Sequence, residues 1–137
     1  MVNNELNQNE VLETVKLVIN QSSGVPLETI HANSTLFHEL NIDSIDMVDI
    51  LFNLERKYDI ELKISEIENY AKQELGDEPF EIDNVITQKG LQILKEQMPE
   101  LDQNKLVDGI TIHDIIKLIT VQSLTNLVIR QIVKKNS

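Results

Sequence analysis

Apolar residues recur at helical spacing along most of this chain. One apolar stripe predicts a first helix from about residue 9 to residue 22, and its members are Val11, Leu12, Val15, Val18 and Ile19. Gly24 and Pro26 follow that stripe as stop signals. A second helix is predicted to begin at Asp43 or Ser44, because Asp is a favourable N-cap residue, and to continue to about Tyr58.

Further helices and a small hairpin are predicted beyond the second helix. Ser65 and Glu68 have capping-box spacing and predict a third helix, and Thr87 caps a fourth that Pro99 ends. Between them, the stretch PFEIDNVIT allows at most a tiny β-hairpin near residues 80–86. The remaining predicted helices cover about 113–118 and 120–133. The fold class is therefore expected to be all-α.

Length and composition indicate one ordinary globular domain. The 137 residues are 41% apolar but only 4% aromatic, and no repeat or Pro/Gly linker divides them. We therefore expect one domain over residues 1–137. No apolar run exceeds three residues, so no membrane span is expected. The first ten residues lack the basic and apolar segments of a secretory signal, so we expect a cytoplasmic location. We also expect the protein to be a monomer.

Charge and cysteine content exclude several functions. The net charge of −11, from 12 basic and 23 acidic residues, repels nucleic acid and anionic lipid, so basic proteins are the expected partners. The chain has no cysteine, which excludes disulfides and thiolate catalysis. If the protein handles thioesters, the thiol must come from a bound group.

The predicted second helix has two apolar stripes where a simple surface helix has one. The first, expected to be core, comprises Met47, Ile50, Leu51, Leu54 and Tyr58. The second lies roughly 130° away and comprises Ile45, Val48 and Phe52. Asp46 and Asp49 flank it on one side and Glu55 on the other. This pattern fits either a wide buried face with a solvated acidic edge or an exposed binding site for a partner.

Ser44 lies at the start of the second helix. Free backbone N–H groups and the helix dipole there favour a phosphate on its hydroxyl, and the alternative is that Ser44 is a plain helix-start residue. No triad surrounds it, and the three histidines are isolated, so no catalytic residue is assigned. Asp43, Asp46 and Asp49 lack EF-hand spacing, and no metal site is expected.

The segment from Phe37 to Glu61 resembles the prosthetic-group region of acyl carrier proteins. In that family an Asp-Ser-Leu motif preceded by Leu-Gly-Ala opens an acidic recognition helix. The corresponding residues of this chain are Leu40, Asn41, Ile42, Asp43, Ser44 and Ile45. The helix ending in GVPLETI, the stretch STLFHEL before the motif and the final stretch LITVQSLTNLVIRQI are similar in order and spacing to the family's first helix, loop and last two helices. The resemblance implies a four-helix bundle that is not an enzyme.

The resemblance also implies a cofactor and partners. A phosphopantetheinyl transferase would attach 4′-phosphopantetheine to Ser44, and the chain would carry acyl intermediates as thioesters in fatty-acid, specialised lipid or polyketide-like biosynthesis. Acyl-loading, acyl-transfer and condensing enzymes with basic docking surfaces would be further partners. The implied partner-recognition residues are Asp43, Ile45, Asp46, Val48, Asp49, Phe52 and Glu55. The candidates for sheltering the acyl chain are Phe37, Met47, Ile50, Leu51 and Leu118.

Three departures from the family pattern affect the interpretation, and the first is Asn41, which replaces the usual glycine at a tight turn. Arg56 places a cation where the recognition helix is usually acidic, which would narrow partner choice. Residues from about 64 to 109 replace a short loop and are expected to be an inserted helical pair. The insertion either extends the core of the domain or forms a docking surface or an enlarged acyl pocket.

Two other functions stay open from the sequence. An aminoacyl or peptidyl carrier would use the same serine, although Asp43 before Ser44 and the absence of a preceding Gly-Gly favour fatty acyl cargo. An unmodified acidic helical adaptor that binds a basic partner would use the second apolar stripe alone.

Overall fold

The computed structural model describes residues 7–62, 79 and 81–136. The helices in these ranges are α1 (Gln8–Ser23), α2 (Ser44–Tyr58), α3 (Gln88–Gln97), α4 (Ile112–Leu118) and α5 (Val121–Asn136). The strands β1 (Glu81–Ile82) and β2 (Val85–Ile86) form an antiparallel hairpin, and single 3-10 turns cover Leu27–Thr29 and Gln103–Lys105. This architecture confirms the all-α fold class with a tiny hairpin. The helix predicted at Ser65 lies outside the described residues.

Capping side chains set the ends of the first two helices. The Asn7 side chain accepts hydrogen bonds from the backbone N–H groups of Asn9 and Glu10, and Gly24 ends α1 in the left-handed conformation (φ 80°). Asp43 caps the start of α2, and Asp59 ends it with φ 54°. Helix α1 is therefore one residue longer at each end than its apolar stripe predicts.

The first hydrophobic core joins α1, α2 and α5. Helix α1 lies between the other two and packs against both. The buried members of this core are Val11, Val15, Val18, Ile19, Ile30, Leu36, Leu40, Ile42, Met47, Ile50, Leu54, Leu62, Val121, Leu124, Leu127, Val128 and Ile132. Almost all are aliphatic, as the low aromatic content predicts, and their burial is the main force that holds the three helices together.

The loop between α1 and α2 is held against the start of α5. The backbone N–H of Leu36 donates to the carbonyl of Ile119 (3.0 Å), and Thr35 forms an antiparallel bridge with Thr120. Asn41 stands where the family has glycine and takes a positive φ of 58°, which Asn tolerates better than most residues. These contacts fix the loop that leads into α2 and so fix where α2 begins.

The described part of the insertion builds a second hydrophobic core. Its buried residues are Ile86, Leu91, Leu94, Met98, Leu101, Leu106, Ile110, Ile115 and Leu118. The hairpin turns at Asp83 and Asn84, both with positive φ, as a type I′ turn requires. In this core, apolar residues from the described part of the insertion pack with Ile110, Ile115 and Leu118, which follow the insertion.

Helix α4 belongs to the second core although the sequence resemblance places it in the carrier bundle. The N–H of Ile86 donates to the carbonyl of Ile110 (2.9 Å), and Val85 pairs with Thr111. This pairing brings the hairpin to the residues that directly precede α4. A capping box then starts α4, and the hydrogen bond from the Thr111 backbone N–H holds the pKa of Asp114 below its usual value.

Polar contacts join the two cores. The Ser123 hydroxyl on α5 donates to a carboxylate oxygen of Glu100 (2.7 Å), and the Thr120 hydroxyl lies 3.1 Å from the Ser123 oxygen. Ser123 and Thr120 are both buried, so these bonds satisfy polar groups that would otherwise be costly to desolvate. Within the described ranges, no helix combines the length and the apolar character needed to cross a membrane.

Candidate functional site on helix α2

Ser44 is an exposed residue at the first position of α2. Asp43 precedes it and accepts a hydrogen bond from the backbone N–H of Asp46 (2.7 Å). The carbonyl of Asp43 accepts the N–H of Met47 (2.9 Å). In the described part of the chain, the N–H groups of Ser44 and Ile45 donate to no acceptor. Two free donors and the positive end of the helix dipole therefore lie beside an accessible hydroxyl, and this combination fits a phosphate on the Ser44 oxygen.

The described residues place no base beside Ser44. None of their side chains hydrogen-bonds to its hydroxyl. The histidines lie elsewhere in the chain: His31 and His38 are on the loop before α2, and His113 is on α4, all three exposed. A serine hydroxyl needs a base to become a nucleophile. No described side chain meets this requirement through a hydrogen bond to Ser44.

The second apolar stripe of α2 faces solvent. Ile45, Val48 and Phe52 are 79%, 67% and 53% exposed, whereas Met47 and Ile50 from the first stripe are buried. The wide buried face considered from the sequence is therefore wrong for these three residues. Three large apolar side chains in one exposed row are typical of an interaction surface. We call Ile45, Val48 and Phe52 the α2 stripe.

Acidic residues border the α2 stripe near Ser44. The side chains of Asp43 and Asp49 are exposed, and Asp46 is half-buried. Glu55, the fourth predicted acidic contact, lies differently: it is half-buried, and its carboxylate accepts the backbone N–H of Leu62 (2.9 Å). One oxygen of Glu55 therefore holds the backbone that follows α2 in place. Glu55 does not join the acidic border of the α2 stripe as a free carboxylate.

Arg56 occupies the other end of the α2 stripe. The centre of its guanidinium lies 5.6 Å from the centroid of the Phe52 ring, a cation–π arrangement. Arg56 was not among the recognition residues predicted from the sequence. The signal was available, because residues 52 and 56 have the i, i+4 spacing that places side chains together on a helix.

The N-cap role of Asp43 gives a stability prediction. Asp43→Ala removes the acceptor for the Asp46 N–H, and we expect the free energy of unfolding to fall by about 0.5 to 2 kcal/mol. Asp49→Ala, which removes an exposed carboxylate from the same helix, should cost less than about 0.5 kcal/mol. Urea unfolding of both variants measures the difference. Equal losses would contradict the capping role.

A groove lies between the loop before α2 and the second core. Its volume is about 680 Å³, and its lining comprises Thr35, His38, Glu39, Lys105, Val107, Asp108, Gly109, Ile110, Asp114, Lys117 and Leu118. Of the residues expected to shelter an acyl chain, only Leu118 borders this groove. Phe37, Met47, Ile50 and Leu51 pack in the first core instead.

Comparisons with known proteins place this site in a family. Residues 13–73 match the family described as "Phosphopantetheine attachment site". The acyl carrier protein of Chlamydia felis is 34% identical over 56 residues, which are 41% of this chain and 72% of that protein. The acyl carrier protein of Thermosynechococcus vestitus is 32% identical over 63 residues, 46% of this chain and 78% of the relative. That of Kocuria rhizophila is 29% identical over 62 residues, with 45% and 76% covered.

These matches define a class of protein: carriers that present a covalently attached group to enzymes and are not enzymes themselves. The chain belongs to the acyl carrier protein family. Its cofactor is accordingly a covalently attached 4′-phosphopantetheine. The matched family region ends at residue 73, so the hairpin and helices α3 to α5 lie beyond it.

Proposed function

We propose that Ser44 is the attachment residue and that this chain carries acyl groups as thioesters in fatty-acid, specialised lipid or polyketide-like biosynthesis. The observation that carries the proposal is the exposed Ser44 hydroxyl at the first position of α2, inside the matched family region. When bound, phosphopantetheine supplies the terminal thiol that this cysteine-free chain lacks.

The residues around Ser44 have separate roles in this proposal. The Ser44 oxygen would form the phosphodiester with the phosphopantetheine phosphate of coenzyme A, whose pyrophosphate bond breaks and releases adenosine 3′,5′-bisphosphate. The free N–H groups of Ser44 and Ile45 would stabilise the negative charge on the phosphate. Asp43 holds the first turn of α2 in place through its bond to the Asp46 N–H. Because the described residues offer no base, the transferase takes the proton of the Ser44 hydroxyl.

The α2 stripe and its acidic border form the proposed docking surface. Partners are the phosphopantetheinyl transferase and enzymes that load, transfer or condense acyl groups through basic surfaces. Asp43, Asp46 and Asp49 steer their approach, while Ile45, Val48 and Phe52 supply the apolar contact. Charges at an exposed border mainly raise association rates and are screened by salt. Binding is therefore fast, weak and salt-sensitive, which suits a cytoplasmic monomer that must visit several enzymes in turn.

We also propose that residues 1–137 form one carrier domain with an insertion at about 64–109. The hydrogen bonds from Ser123 and Asn126 on α5 to Glu100 in the insertion support this organisation. The groove borders this insertion: one wall is the loop before α2, and the other comes from the insertion and α4. Glu39, on the wall formed by the loop before α2, is five residues before Ser44. This spacing limits the separation of the Glu39 and Ser44 Cα atoms to about 18 Å.

Cargo analysis tests the proposed function. We expect the protein purified from its native host to bear a phosphopantetheine arm with a fatty acyl group that neutral hydroxylamine releases. Release of an amino acid would favour an aminoacyl or peptidyl carrier. A protein without the arm, isolated from cells that contain an active transferase, would favour an unmodified adaptor and contradict the proposal. Mass spectrometry of the released group identifies the acyl chain.

A further inference from the structure

The exposed face of α2 changes sign of charge along its length. Exposed Asp43 and Asp49 lie near Ser44, whereas the next two positions after Glu55 are the exposed cations Arg56 and Lys57. The apolar α2 stripe runs between the acidic end and the cationic end. A partner that covers the whole stripe therefore meets carboxylates at one end and a guanidinium at the other.

Arg56 is held where a docked partner must meet it. Its guanidinium lies 5.6 Å from the centroid of the Phe52 ring, and Phe52 is 53% exposed. The carboxylate of its neighbour Glu55 is bound to the N–H of Leu62. Within the described residues, Arg56 forms no ion pair. The charge of Arg56 is therefore not neutralised by an ion pair within the described residues. A partner that covers Phe52 also removes water from the Arg56 guanidinium.

The electrostatic consequence depends on the partner. Burying a cation opposite another cation is unfavourable at an interface, whereas an opposite charge offsets the loss of hydration. A surface that is basic along its full length fits the Ser44 end of α2 but is repelled at the Phe52 end. A surface with a carboxylate at the Phe52 end fits both ends.

We propose that Arg56 is a specificity-determining residue that selects partners with a carboxylate opposite Phe52 and basic residues opposite the Ser44 end. This inference rests on the proposed function, since it assumes that α2 is the docking helix. It names the partner chemistry: a protein surface with an apolar centre, one cationic side and one acidic end.

Lys57 provides a matched control. Both cations lie in the last turn of α2, so both interact favourably with the negative end of the helix dipole. Lys57 is about 100° around the helix from Arg56 and about 140° from Phe52, away from the α2 stripe. A purely structural role would make substitutions at the two positions equivalent. A role in selection would make Arg56 the sensitive position.

The first experiment uses coenzyme A and a broad-specificity phosphopantetheinyl transferase with a uniformly basic docking surface. At low salt, we expect Arg56→Glu to raise kcat/KM for modification about fivefold, and Lys57→Glu to change it less than about twofold. Arg56→Gln should give an intermediate gain. The gain from Arg56→Glu should shrink at high salt, because the Debye length falls. Circular dichroism checks that the variants keep their helical content.

The second experiment changes the partner. Each Lys or Arg on the docking surface of the transferase is replaced in turn by Glu. For each transferase, the kcat/KM with the wild-type carrier is divided by the kcat/KM with the Arg56→Glu carrier. For one transferase variant, this ratio should be about fivefold higher than for the parent transferase. The inference is overturned if Arg56→Glu and Lys57→Glu behave alike, or if no transferase variant shows this coupling. A wild-type chain that no transferase modifies would overturn the proposed function itself, so the two failures are distinguishable.

Discussion

Replacing Ser44 with alanine is expected to abolish phosphopantetheinylation completely. The variant lacks the only oxygen that, in our proposal, forms the phosphodiester, so the effect is a total loss and not a slower rate. The Ser44 side chain makes no hydrogen bond within the described residues, and alanine is a good helix former. The free energy of unfolding should therefore change by less than about 0.5 kcal/mol. Intact-mass measurement after incubation with coenzyme A and a transferase gives the result.

Ser22→Ala is the matched control for that loss. Ser22 is half-buried in α1, and its hydroxyl accepts a hydrogen bond from the side-chain amide of Asn53 (3.2 Å). It lies outside the proposed docking surface. We expect this variant to be modified at the wild-type rate. A Ser44→Ala protein that still gains a phosphopantetheinyl unit would show that another residue carries the arm.

Truncating one leucine in either core is expected to destabilise the whole protein. Leu54 in the first core is fully buried, and Leu106 in the second is 1% exposed. Leucine-to-alanine changes at such sites remove apolar contacts and leave a cavity, which costs about 2 to 5 kcal/mol. Leu17→Ala is the control, because Leu17 is 46% exposed on α1. It should cost less than about 1 kcal/mol.

The shape of the unfolding curve tests whether the chain is one domain. The hydrogen bonds from Ser123 and Asn126 on α5 to the Glu100 carboxylate connect the two cores. If the cores unfold together, Leu54→Ala and Leu106→Ala both shift a single transition in urea. A Leu106→Ala protein with two transitions, one of them unchanged from wild type, would show that the cores unfold separately. The single-domain proposal would then be wrong.

The described helices, inside and outside the insertion, were predictable because local signals mark them. Asp43 caps α2 where the sequence predicted, and Thr87 caps α3 and accepts the N–H of Gly90 (3.0 Å). The hairpin also lies where the PFEIDNVIT stretch predicted, since Asp83 and Asn84 tolerate positive φ. Capping and turn chemistry act over three or four residues, so one sequence is enough to recognise them.

The partition into two cores was not predictable in this way. Ile115 and Leu118 are spaced like any helical core residues, and their spacing does not say which core they join. The choice depends on the pairing of Val85 with Thr111, a contact 26 positions apart along the chain. Such a contact depends on the packing of the whole insertion and leaves no local pattern.

The candidate site was predicted in part. The α2 stripe was found because helical periodicity separates two apolar faces. Ser44 was found because it lies at the predicted start of that helix. The side-chain bond of Glu55 was missed, since its acceptor role depends on where the chain turns at Leu62. Arg56 was noted as a departure from the family, but its position over Phe52 required the structure.

The most direct test of the central claim is peptide mapping of the wild-type chain after incubation with coenzyme A and a broad-specificity transferase. We expect one phosphopantetheinyl unit per chain, located by fragmentation on Ser44. A chain that stays unmodified under conditions that load a known acyl carrier protein, or one modified at a different residue, would contradict the claim.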